Sequence, residues 1–213
     1  MTTREATPAR SGAVGPRAAD VRRWGTVTVA AGALGAACAV GVLLTPPLVP
    51  VERFSHPFDA RWFVVAQVAF AVQHLAMLAG VLGLAALSPP PTRLWRVGLV
   101  LAGGGLVLLA ACELGGLAAT RALQSSRVAG LVEASYGVPT ALVGVGFLLC
   151  GWVVLRRRLL TPGRWLPLAF GLWVFAVLVP ALGGSFVAGR LAIGGWMVLY
   201  LLLGLALRRR GAP

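Results

Sequence analysis

Three side chains in this 213-residue sequence carry a titrating group into otherwise apolar runs: His74, Glu113 and Glu133. A charge at the centre of a bilayer costs about 3 kcal/mol on insertion scales, so an intramembrane ionisable residue is a functional candidate by default. An imidazole and a carboxyl in contact can relay a proton, and one buried carboxyl can protonate an apolar substrate as a general acid. His74 is preceded by Gln73, and Gln67 lies seven residues earlier on the same helical face. Each of these residues also has a purely structural reading. Gln67 and His74 would then make cross-helix hydrogen bonds, each contributing about 0.6 to 2 kcal/mol in a membrane. Glu113 would reach the outer surface or Arg121, and Glu133 would be a wet carboxylate beside Arg127.

Depth follows from the helical rise of about 1.5 Å per residue. His74 falls about 20 Å from Arg61, near the midplane, and Glu113 about 25 Å from Arg96, in the outer half. Their depths are close enough for contact if the second and third helices form a hairpin. Glu133 lies about one hydrocarbon thickness above Arg156, at the outer headgroup boundary.

The elements that must hold these residues are membrane spans. A chain that is 58% hydrophobic and 12% charged is not an ordinary soluble domain. Apolar runs of span length recur throughout it. They predict an all-α membrane protein, a bundle of six transmembrane helices with both termini cytoplasmic. The expected spans are about 25–45, 62–87, 97–118, 128–155, 165–183 and 191–207, within a single domain over 21–210. Residues 1–20 are polar, small and Pro-containing, and predict a disordered cytoplasmic tail. The first run exceeds a signal-peptide core and more spans follow, so it reads as a retained span. Pro46, Pro47 and Pro50 end it, and Pro89, Pro90 and Pro91 end the second.

The fourth span carries a regular pattern. Gly130, Gly137, Gly144 and Gly151 recur every seven residues, with Ala134 and Ala141 between them. Small residues let backbones approach where no hydrophobic drive pairs helices, and a seven-residue period keeps such a seam on one side. These six positions predict a packing stripe on a central helix. Ala31, Gly35 and Ala39 of the first span are expected to face it.

The basic excess is arginine alone, 19 against 6 acids. Fourteen lie on the side of the termini: five from Arg4 to Arg23, Arg93 and Arg96, four from Arg156 to Arg164, and Arg208 to Arg210. Five lie on the other: Arg53, Arg61, Arg121, Arg127 and Arg190. This is the positive-inside pattern, and it reads as topology rather than nucleic-acid binding. Trp24, Trp62, Trp95 and Trp165 fall at span ends, as an aromatic belt requires. Arg156, Arg157 and Arg158 would also attract anionic lipid headgroups.

Cys38, Cys112 and Cys150 sit singly in apolar runs and read as small core residues, with no C-x-x-C pair. Glu52, His56 and Asp59 have ligand-like chemistry, but Pro57 prevents a regular helix from presenting them together, so no metal is assigned. His56 lies in a loop, so His74 has no second histidine at its depth to complete a haem. No Walker loop, G-x-S-x-G, H-E-x-x-H or acid cluster for Mg²⁺ occurs, and no cofactor is expected.

The stretches HPFDARWFVVAQVAFAVQHLAMLAGVLGL, GRWLPLAFGLWVFAVLVPALGGSF and RLAIGGWMVLYLLLGLALRRR resemble the small multi-span membrane proteins of high-GC Gram-positive bacteria. The resemblance implies fold and cytoplasmic-membrane location only. The leading expectation is a non-catalytic partner-binding or accessory subunit, associated with a membrane-protein partner or a second copy. One alternative is a proton-coupled small-solute carrier using His74 and Glu113. Another is an intramembrane enzyme acting on a lipid-like or isoprenoid substrate, with Glu113 as general acid.

Overall fold

Helices account for every regular element of the computed structural model, which describes residues 16–87 and 92–211. They are α1 (Pro16–Leu44), α2 (Ala60–Ala86), α3 (Arg93–Gly116, prolonged by a 3₁₀ turn at Leu117–Ala119), α4 (Arg127–Ser135) and α5 (Gly137–Arg157). The last are α6 (Leu166–Trp173), a π-helical turn (Val174–Leu178), α7 (Val179–Leu182) and α8 (Phe186–Arg210). The starts follow capping chemistry, because a short polar side chain can satisfy a backbone N–H that lacks an intrahelical partner. Asp59, Thr92, Ser126 and Ser185 accept from the N–H of Trp62, Trp95, Ala129 and Ala188.

Five helical stretches are long and apolar enough to cross a membrane: Ala18–Leu44, Ala60–Ala86, Arg93–Ala119, Arg127–Arg157 and Phe186–Arg210. The sixth expected span, 165–183, is a shorter apolar stretch, Leu166–Leu182. Its π turn has a local cause. Pro180 has no N–H and crowds the preceding turn, and the backbone widens so that the Val179 N–H reaches the Val174 carbonyl, five residues back.

Other boundaries also move. Pro16 to Asp20 are helical rather than part of a disordered tail; proline suits a first turn, and Val21 is buried against the core. The tail up to Gly15 and the Pro89–Pro91 stop lie outside the described residues. The fourth span breaks at Tyr136, where Pro139 withholds the N–H that would have bonded Ser135. Trp95 is buried and does not belong to an aromatic belt, whereas Trp62 and Trp165 are exposed at helix ends.

The helices close into a ring. α1 packs on α8 and α2, α2 on α3, α3 on α5, α5 on α6, and α6 returns to α8. α8 also reaches α2 and the π turn, so it shares the centre of the bundle with the fourth span, whose apolar stretch is the most buried of the five long helices. Gly25, Gly32 and Gly35 of α1 oppose Arg208, Leu201 and Met197 of α8, which makes the pair antiparallel. The small face of α1 therefore meets α8, with Ala39 against Gly194, and not the fourth span.

The glycine stripe divides at the break. Gly144 lies against Val174 and Phe175, and Gly151 against the backbone of Leu168, so those two do admit α6 and the π turn. Ala141 is half-buried. Gly130, Ala134 and Gly137 are exposed, and no atom of a neighbouring helix approaches Gly130 or Gly137. The tightest backbone contact of α5 uses another face. A Cβ on Gly146 would collide with the Ala102 amide and lie 2.7 Å from the Gly98 carbonyl on α3.

Towards the end of the bundle that holds the termini, the centre is aromatic. Phe170 stacks on Trp196 at 4.7 Å between ring centres and lies 4.4 Å from Phe147 and 5.3 Å from Tyr200. The Tyr200 hydroxyl donates to the Met77 carbonyl and accepts from the Gly80 N–H at 2.9 Å. Cys150 is fully buried here, while Cys38 and Cys112 are only half-buried; all three are free thiols.

Candidate functional site

In the other half of the bundle, four segments bring polar groups to one place. α2 supplies Gln67 and His74, α3 supplies Glu113, the α4–α5 break supplies Tyr136, and the second turn of α8 supplies Arg190. His74 and Glu113 are in contact: the imidazole Nδ1 lies 3.6 Å from Glu113 Oε1. That is ion-pair distance without hydrogen-bond geometry, and the Phe70 carbonyl one turn back also acts on the ring. The other carboxylate oxygen, Oε2, accepts from the Tyr136 hydroxyl at 2.9 Å.

Gln67 anchors the cluster. Its side-chain amide donates to the Glu113 backbone carbonyl at 3.0 Å and reaches the Tyr136 hydroxyl at 3.5 Å. Gly116, one turn after Glu113, leaves the space that this amide occupies. Gln67 therefore bonds across helices, to α3 and to Tyr136, as its structural reading expected, whereas His74 makes no side-chain hydrogen bond through Nδ1. Gln73 turns to the opposite side of α2, where it donates to the Ala31 carbonyl at 2.6 Å. Its Oε1 has no hydrogen-bond partner among the described residues.

Arg190 supplies the cation of the site. Ser185 caps α8 early enough to place Arg190 inside the helix, not in the turn where the sequence pattern put it. Its guanidinium carbon lies 5.2 Å from the Phe186 ring centre and 6.0 Å from that of Phe70. It acts electrostatically on Glu113 and Tyr136, with no Glu113 oxygen within 4 Å and no hydrogen bond to Tyr136 among the described residues. The counter-charge near Glu113 is thus Arg190, not Arg121. Arg121 uses its carbonyl to accept from Arg53 at 2.9 Å.

Glu133 stands apart. It is exposed, and its partner is Gln124 at 2.5 Å rather than Arg127. The loop trio is dispersed as well. Glu52 accepts through its carbonyl from the Gln124 N–H, His56 Nδ1 pairs with the Val49 carbonyl, and Asp59 caps α2. No three His, Cys, Asp or Glu side chains gather as a metal would require, among the described residues.

Chemically, Glu113 has one oxygen on a phenol and the other facing an imidazole. A shortening of under about 1 Å would turn the His74 contact into a hydrogen bond along which a proton can pass. Sequence reasoning missed two members of the set, Tyr136 and Arg190. Pro139 signalled the break that turns Tyr136 inward, and Ser185 after Gly183–Gly184 signalled the early start of α8. No protein-family model, curated protein or solved structure matches this chain.

Proposed function

We propose that the chain is a six-span protein of a bacterial cytoplasmic membrane that takes up and releases a proton at His74 and Glu113, as a proton-coupled small-solute carrier does. The single observation that carries this reading is the imidazole–carboxylate contact at 3.6 Å, enclosed between helices and tied to a helix break through Tyr136. Carrier sites are commonly built where spanning helices are interrupted, because freed backbone and side chains there can rearrange around a load. A pair kept only for packing has little to recommend it, since apolar residues of similar volume serve stability as well or better.

The experiment is proton uptake in proteoliposomes carrying an internal pH dye, with membrane-impermeant solutes added outside under an inside-negative potential. At least one solute class drives acidification that Glu113→Gln abolishes and His74→Gln weakens. Equal signals from wild type and both variants, or none from any, would return the cluster to a packing role. A second reading, the non-catalytic accessory subunit, is favoured by the dense aromatic half around Phe170 and Trp196.

In this reading both termini are cytoplasmic. Arg156, Arg157 and Arg158 are exposed at a helix end, with Arg156 4.5 Å from the Trp152 ring centre, as contact with anionic headgroups requires. Cysteines placed at Arg157 and at Arg210, both exposed, in a background lacking the native thiols, stay unlabelled by impermeant reagents in intact cells. Labelling from outside at either site would reverse or break the topology.

A further inference from the structure

Arg190 is held in an unusual way for a cation inside a bundle. Among the described residues it makes no hydrogen bond and no ion pair within 4 Å, although a guanidinium has five N–H donors in a planar fork. Phe70 and Phe186 flank it and accept none of those N–H groups in a conventional hydrogen bond. Glu113 is close enough to act on it but already has its two oxygens directed at Tyr136 and His74. Phe186 is 38% exposed and Arg190 itself half-buried, so the fork is reachable from the end of the bundle opposite the termini. A planar fork of free donors beside two aromatic rings matches the two oxygens of a carboxylate or phosphate better than any other ligand class.

We propose that Arg190 is the binding residue for the oxyanion group of a small solute or a lipid headgroup, and that its occupation is coupled to a proton on Glu113. This rests on the carrier reading for the coupling, but not for the binding. With Glu113 ionised, the carboxylate and the incoming anion compete for one cation. With Glu113 protonated, the repulsion between carboxylate and anion is gone and the guanidinium's charge is left to the anion. Proton and anion therefore favour one another, by linkage that must hold in both directions.

The charged and titratable groups around this pair are few. α2 contributes His74, α3 contributes Glu113 and Cys112, which acts on Tyr136, and the α4–α5 break contributes Tyr136 itself. His56 faces Phe186 from the loop at 5.5 Å between ring centres. α1 beyond Arg23 offers only Cys38, and Leu166–Leu182 offers nothing that titrates.

The test is calorimetric titration of the purified full chain in maltoside detergent with acetate, benzoate and inorganic phosphate, each in two buffers of different ionisation heat. At least one probe binds saturably with net proton uptake. Arg190→Gln weakens that binding at least tenfold, and Arg190→Lys, which keeps the charge but not the fork, weakens it less. Glu113→Gln still binds the probe and takes up no proton. Repeating the titration in nanodiscs of phosphatidylglycerol and of phosphatidylcholine separates the sources. Competition by the anionic lipid alone identifies a headgroup as the occupant, and no competition identifies a soluble solute.

Absence of saturable binding by all three probes in wild type overturns the site, as does binding unchanged in both Arg190 variants. Binding without proton uptake overturns the coupling. Either failure leaves the dye experiment on Glu113 and His74 unaffected, so the two readings fall separately.

Discussion

The two halves of the bundle solve the problem of holding helices in lipid in opposite ways. The half near the termini is dry: Phe147, Phe170, Trp196 and Tyr200 fill the centre, and Gly146 lets α5 lie directly on the α3 backbone. Its central hydroxyl, on Tyr200, is bonded to backbone groups on α2. The opposite half is joined by side chains that can change their protonation or their partner: His74, Glu113, Tyr136 and Arg190. Close-packed contacts have one good geometry, and a buried polar network holds as firmly only when every member is bonded, which His74 Nδ1 is not. The first half is therefore the more firmly held of the two.

The largest effect that would break this comparison lies in the dry half. Gly146→Leu forces α5 off the Ala102 and Gly98 backbone and costs about 3 kcal/mol, since overpacking cannot be relieved by a flexible neighbour. Gly137→Leu meets open space and changes stability by less than about 0.5 kcal/mol. Reversible unfolding in mixed micelles measures both, and equal losses would remove the distinction between the faces of the fourth span.

A smaller effect sharpens it. Glu113→Gln and Tyr136→Phe share one hydrogen bond, so a double-mutant cycle returns a coupling of about 1 kcal/mol, within the range of membrane hydrogen bonds. Glu113→Gln and Tyr200→Phe belong to different halves and add to within about 0.5 kcal/mol. A coupling as large between the halves as within the polar one would mean that the bundle is a single unit. The smallest effect is Glu133→Gln, whose exposed contact with Gln124 contributes less than about 0.5 kcal/mol to the same unfolding measurement.

Helix number and span positions were largely legible, because hydropathy runs and prolines act locally. The meeting of His74 and Glu113 was legible too, since the rise of a helix fixes depth once a charged anchor is known. The glycine seam was not. A seven-residue period says which residues share a stripe, but not where the partner helix lies, and Pro139 cuts that stripe into two segments. Val143, off the stripe, is fully buried, and a Cβ on Gly105 of α3 would lie 2.8 Å from its amide. Tyr136 and Arg190 escaped for a related reason. Each depends on where a helix starts or breaks, and a shift of five residues turns a loop arginine into one facing a carboxylate.

The α1–α8 pairing has a consequence for how the molecule is made. α1 leaves the ribosome well before α8, yet α8 is its principal partner, along Gly25, Gly32 and Gly35. During synthesis this small-residue face of α1 has only lipid, or the membrane-insertion machinery, against it. α2, α3 and α5 pair with sequence neighbours as they emerge. α1 and α2 must then keep a berth open until α8 arrives to close the ring. Any chain arrested before Phe186 would display that berth to the bilayer, a recognisable mark of an unfinished protein for the proteases that patrol the membrane.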